Sequence, residues 1–308
     1  MFDTVAISGN FMRSPDIELL VKNDCKPFQA KSGEIYKIVL NGKPGAKEPR
    51  ITITKSQKGF WRLQAEVSIG AWLFGSNIFL PNEDDLIRFR SDLANFIFYK
   101  TGIRFDVDIE RATILDATRD FQAGESGAIR TLKILTHSQI PKFNRRSFND
   151  TSVYFENKGV NKNKIFKIYS KYHDCIDKGA SEEEIELAKG ILRLEVHHGD
   201  NRAVRNLAKS LKLENRSGLL ITPETSERVI KNAMKILNLE SIINNQSKSN
   251  LESLARNFDK SMALTLAGHL AFKEEFGADY HELSFINLKP ETIKSYERAC
   301  AKTGTLSL

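Results

Sequence analysis

The sequence predicts an α+β protein built on an antiparallel sheet and followed by a helical extension, and three observations predict it. Between residues 37 and 118, short runs of β-branched and aromatic residues alternate with polar ones. One long segment, 84–102, instead spaces its apolar residues as a helix does. After about Arg202 the strand signal gives way to helices. The expected division is an α+β domain over 1–205 and a helical domain over 206–308.

The segments YKIVLNG, RITITKS and WRLQAEVSIG read as strands cut by Gly, Pro and Lys turns, with NGKPGAKEPR as a hairpin loop. The helix at 84–102 opens on acidic residues after Pro81 and stops at Gly102. IERATILDATRDF reads as a strand with Asp116, Thr118 and Asp120 on one face, because strand side chains alternate. TSVYFEN and KIFKIYSK add two strands, SEEEIELAKG an acidic helix, and ILRLEVHH a further strand.

RAVRNLAKSLKL begins the helical part. In TPETSERVIKNAMKIL, Thr222 or Thr225 caps, Pro223 suits a first turn, and Val229, Ile230, Met234 and Leu237 form a stripe. NNQSKSN is a polar turn, and two further helical stretches complete the tail. Residues 265–304 have the outline of a helix-turn-helix whose last helix starts near Pro290 and offers Lys294, Tyr296, Arg298 and Lys302 to DNA. Any helical hairpin with a basic surface has the same outline.

The 308 residues are 41% hydrophobic and 28% charged, a soluble globular composition with enough apolar residues for a sizeable core. No apolar run approaches the roughly 20 residues that span a bilayer, and the opening MFDTVAISGNFMRS has neither a basic start nor an apolar signal core. The expected location is the cytoplasm. Cys25, Cys175 and Cys300 fit neither a disulfide framework nor a zinc site. A net charge of +7 favours polyanions, and the basic runs KFNRR at 142–146, which contains Arg145 and Arg146, NKGVNKNKIFKIYSK and RAVRNLAKSLK concentrate it. A solvated face has the same composition.

FKIYSKYHD holds Tyr169 and Tyr172, with Lys167 and Lys171 beside the first. A phenol with a pKa near ~10 needs nearby cations or a metal-bound phosphate to attack at neutral pH. If the strand continues, Lys171 shares the face of Tyr169. In ILRLEVHH, Arg193, Glu195 and His197 alternate with Leu192, Leu194 and Val196; Glu195 and His197, with Asp116 and Asp120, are donors for a hard divalent cation. A packed aromatic and a half-exposed sheet account for the same spacings.

In combination these residues resemble a known group. Three blocks, LQAEVSIGAWLFGSNIF at 63–79, ILDATRDF at 114–121, and FENKGVNKNKIFKIYSK with GILRLEV, are similar in order and spacing to the gene II and gene X replication proteins of filamentous phages. More distantly, they resemble the rolling-circle initiators of small Gram-positive plasmids. The similar stretch runs from roughly residue 50 to 205, as short motifs in a fixed order.

The resemblance implies an HUH-like or related nickase domain and a magnesium-dependent endonuclease and strand transferase, with manganese as a substitute. It implies that the plus strand of an origin is cut and its 5′ phosphate held on tyrosine. Tyr169 falls at the nucleophile, Asp116 and Glu195 at acidic positions suited to metal, and Glu66 at an acidic position of unassigned role. Lys171 and Arg193 fall at basic positions near the scissile phosphate. The implied partners are origin DNA, double- and single-stranded, and a host helicase in a bacterial cytoplasm, with a homodimer left open and no membrane. The chain departs from the better-known nucleases in lacking their His-hydrophobic-His strand, which leaves a carboxylate-rich site with His197 as one nitrogen donor. Tyr172 keeps a second nucleophile open. A relaxase serving plasmid mobilisation, a non-catalytic origin-binding protein and a metal-dependent hydrolase of small substrates are the alternatives.

Overall fold

The computed structural model describes residues 1–12, 14–23, 25–40, 47–159 and 163–243, with positions 292, 295, 296 and 298. In chain order its elements are β1 (Phe2–Phe11), α1 (Ile17–Lys22), β2 (Lys26–Gln29), β3 (Ile35–Leu40), β4 (Arg50–Lys55), β5 (Trp61–Ser68), α2 (Ile69–Phe74), α3 (Glu83–Thr101) and β6 (Arg111–Gln122). Then come α4 (Glu125–His137), β7 (Phe143–Phe148), β8 (Ser152–Asn157), β9 (Lys164–Ser170), α5 (Lys171–Asp177), α6 (Glu182–Leu187), β10 (Ile191–His198), α7 (Asn201–Leu211), α8 (Ser217–Leu220) and α9 (Pro223–Leu237).

The strands form one sheet in the order β2-β3-β4-β5-β1-β6-β10-β9-β8-β7. The ladders from β2 through β6 and from β7 through β9 are antiparallel. The protein is thus α+β with a large antiparallel sheet, as the alternation predicts. The central strand β1 is not anticipated in the sequence reading. Its partners are β5, with Val5 opposite Val67, and β6, with Val5 opposite Leu115. A bulge between Phe2 and Val5 shifts the register against β6, so the polar pair Asp3 and Thr4 breaks the strand's alternation.

Alternation sorts the sheet's two faces. Phe2, Val5, Ile7, Leu63, Leu115, Phe166, Ile168, Leu192, Leu194 and Val196 are buried and apolar, while the opposite face of β6, β10 and β9 carries Asp116, Thr118, Arg193, Glu195, Lys167 and Tyr169.

The helix predicted at 84–102 is α3. Asn82 and Asp85 cap each other's backbone N–H at 2.9 Å, Leu86, Phe89, Leu93 and Ile97 make its buried stripe, and Gly102 ends it at φ 68°. The helix α2 follows the Glu66 strand and ends at Gly75, and its Trp72 packs edge-on against Phe89 and Phe96. Thr222 accepts a 3.2 Å hydrogen bond from the Thr225 N–H and so caps α9.

Two compact units divide the chain. One comprises Met1–Asp120, Gln139–Tyr169 and Arg193–Ala233 and holds the sheet; the other comprises Phe121–Ser138, Ser170–Leu192 and, of the described residues, those from Met234 on. In the second unit the approach of Gly190 to Gly124 is tight, and the Ala123 N–H donates to the Gly190 carbonyl at 3.0 Å. Among the described residues no helix is long and apolar enough to cross a membrane. The hairpin loop at 41–46 and the helix-turn-helix of the tail, including Lys294, lie outside the described residues.

Candidate active site

The polar face brings most of the expected residues together within the sheet-bearing unit. Tyr169 near the end of β9 donates its hydroxyl hydrogen to Oε1 of Glu195 on β10, in a short hydrogen bond. The Lys167 ammonium, two residues back on the same face, reaches Oε2 of Glu195 at 3.2 Å and Oδ2 of Asp116 at 3.9 Å. Nδ1 of His197 stands 2.5 Å from Oδ1 of Asp116. The chain thus runs Tyr169–Glu195–Lys167–Asp116–His197 across three adjacent strands, β9, β10 and β6.

Asp3 completes this face and is missing from the sequence reading. Its carboxylate accepts from the Ser68 hydroxyl at 3.1 Å. Burial first, and then the charge of Glu195, push its carboxyl up to about 6. Glu195 behaves oppositely: burial pushes it up, but Lys167, the Tyr169 hydrogen bond and Arg193 together hold it below its ordinary value. Glu195 is therefore an ionised acceptor at neutral pH. Lys167 is destabilised by burial, yet Glu195 and Asp116 raise it, so its charge is retained.

Arg193 is a structural clamp. Its side chain is fully buried, and it forks onto Asp120 through Nε–Oδ1 at 2.7 Å and Nη2–Oδ2 at 2.8 Å. The remaining donors meet the carbonyls of Asn77 at 2.7 Å and Ile78 at 3.0 Å, which ties β10 to the segment that follows α2. Asp120 is thus Arg193's counterion and stands apart from the Glu195 chain.

The expectation that Lys171 shares a face with Tyr169 is corrected. The strand ends at Ser170, Lys171 is the first residue of α5, and its buried ammonium pairs with Asp174 at 2.8 Å. Tyr172 lies in the same helix, its ring edge-on to His173. Glu66 lies opposite Ala6 of β1 and Arg50 of β4. Arg145 and Arg146 are exposed on the edge strand β7, where Arg146 pairs with Glu156 at 3.2 Å, and Arg298 is exposed. Cys25 and Cys175 are buried thiols.

As they stand, these residues do not fit a divalent ion. Among the described residues no group of three or more His, Cys, Asp or Glu side chains is placed to hold one, and the cation between Asp116 and Glu195 is the Lys167 ammonium. No protein-family model matches the chain, and no curated protein matches it.

Proposed function

We propose that the chain is a rolling-circle replication initiator of the gene II type, which nicks the plus strand of an origin and holds it as a 5′-phosphotyrosine on Tyr169. The observation that carries this reading is the Tyr169 hydroxyl bonded to an ionised Glu195 on a polar sheet face, with Lys167 beside the carboxylate. The order of the three sequence blocks supports it independently. In the step proposed, the phenolic oxygen attacks phosphorus as the P–O3′ bond breaks. The phenolic proton passes to Glu195, and the 3′ oxygen leaves as a hydroxyl after taking up a proton. The phosphotyrosyl ester preserves the bond energy, so the reverse step religates the strand.

Magnesium, or manganese in its place, enters as the ion the resemblance implies. It would have to displace Lys167 from between Asp116 and Glu195. The partners proposed are origin DNA and a host helicase.

The burial of Tyr169, only 7% exposed, favours a second reading in which the protein binds DNA without cutting it. The test is incubation with labelled single-stranded oligonucleotides tiled across the DNA flanking the gene, in magnesium and in chelator, followed by a denaturing gel. The nickase reading expects a covalent adduct that Tyr169→Phe abolishes; tight binding with no adduct on any substrate establishes the second reading.

A further inference from the structure

The ladders from β9 to β7 continue the polar sheet face outward from Tyr169. Ser152 stands opposite both Tyr169 and Phe148, and Tyr154 stands opposite both Lys167 and Arg146. Directly paired residues project from the same face, so two cross-strand rows form, Phe148–Ser152–Tyr169 and Arg146–Tyr154–Lys167. The candidate nucleophile and the lysine beside Glu195 therefore share their rows with an aromatic pair and an arginine. All six residues belong to the sheet-bearing unit.

A single exposed apolar side chain is ordinary on a protein surface. Phe148 differs in its company. It is 47% exposed on the edge strand β7 and meets the half-buried Tyr154 edge-on, with ring centres 5.1 Å apart at 60°, so the pair does not use up its own stacking surface. Arg146 pairs with Glu156 at 3.2 Å, but its side chain is 65% exposed; such a pair contributes little, and a phosphate can take the carboxylate's place. Between 142 and 158 the exposed cations Lys142, Arg145, Arg146 and Lys158 outnumber the carboxylates Asp150 and Glu156, so the hairpin is net cationic. Ring faces for bases and a guanidinium for phosphate, side by side on a cationic ribbon, suit single-stranded nucleic acid. In a duplex the bases stack on one another and offer no face to Phe148.

We propose that the β7–β8 hairpin binds single-stranded DNA, with bases stacked on Phe148 and Tyr154 and the backbone held by Arg146, and that the two rows lead the strand to Tyr169. That the ligand is DNA and runs to Tyr169 rests on the nicking reading; the stacking on Phe148 and Tyr154 does not. The rings bind bases without regard to sequence, because every base has a π-face, and the arginine fixes the register of the backbone.

The test titrates the full chain, in chelator so that nothing is cut, into a labelled oligothymidylate of about 15 nucleotides, an abasic strand of the same length and charge, and the matching duplex, all read by fluorescence anisotropy. The abasic strand is expected to bind about tenfold more weakly than oligothymidylate, since it keeps the phosphates and loses the stacking. Phe148→Ala is expected to weaken oligothymidylate about tenfold and leave the abasic strand unchanged, while Phe148→Trp keeps the parent affinity. Arg146→Gln is expected to weaken both strands and to lower the slope of log affinity against log salt by about 1. Circular dichroism melting checks that each variant is folded. Tyr169→Phe is expected to bind as the parent does whether or not it abolishes the adduct, so the platform and the nicking reading fail separately. The proposal is overturned by an absence of saturable binding, by a Phe148→Ala variant within about twofold of the parent on oligothymidylate or equally weakened on the abasic strand, or by a duplex that binds more tightly than the single strand.

Discussion

Replacing Asp120 by Ala leaves Arg193 as a fully buried guanidinium with two carbonyl contacts and no counterion. Breaking a buried pair from one side costs about 3–5 kcal/mol, because the charge left behind has lost its compensation. The side chain of Asp120 is 20% exposed, so water can enter and partly solvate the orphaned charge, which puts the expected loss near the lower end, about 3 kcal/mol. For a chain of this size that is a fall in Tm of roughly 10 °C, read by circular dichroism and checked by the urea midpoint. The double variant Asp120→Leu with Arg193→Met removes both charges. It leaves only the Asn77 and Ile78 carbonyls without their donor, and is expected to recover at least half of the loss. An Asp120→Ala variant within about 0.5 kcal/mol of the parent, or a double variant less stable than the single, would refute the clamp.

Asp3 titrates near 6 in the folded chain against an ordinary 3.8, so between about pH 4 and 6 the folded state holds more protons than the unfolded and parent stability falls as pH rises. Asp3→Asn removes that penalty; its stability relative to the parent should be on the order of 2 kcal/mol more favourable at pH 7 than at pH 4, and a difference that is flat with pH contradicts the assignment. Lys167→Met removes the cation between Asp116 and Glu195, and should cost about 2 kcal/mol and raise the Glu195 carboxyl, seen by carbon NMR of its side chain. Gly190 has φ 71°, and an added Cβ would come within 3.0 Å of the Gly124 Cα, so Gly190→Ala should lower the urea-derived stability by about 1–3 kcal/mol.

The strands that carry the polar face were legible because KIFKIYS and ILRLEVHH alternate cleanly, and the 84–102 helix because its cap, stripe and terminal glycine agree. The boundary after Ser170 was not. KIFKIYSK continues the alternation to Lys171, and only the Lys171–Asp174 pair, three residues apart, hints that a helix has begun. The opening strand was obscured by its bulge, and Asp3 was missed with it. α4 and the edge strand β7 were also passed over; KFNRR reads as a basic patch because the exposed β7 has no buried side to impose alternation. The partners of Arg193 were invisible for another reason. They lie 73 and 115 residues away in the chain for Asp120 and Ile78, and pairings at that separation leave no local pattern.

The most direct test of the account is to find which residue carries the DNA. Trypsin cuts after Lys167, Lys171 and Lys178, so Tyr169 and Tyr172 fall in separate peptides, 168–171 and 172–178. Mass spectrometry of the nuclease-trimmed, trypsinised adduct is predicted to find the nucleotide on 168–171 alone. A nucleotide on 172–178, with 168–171 unmodified, would contradict the assignment of Tyr169 and with it the role given to Glu195.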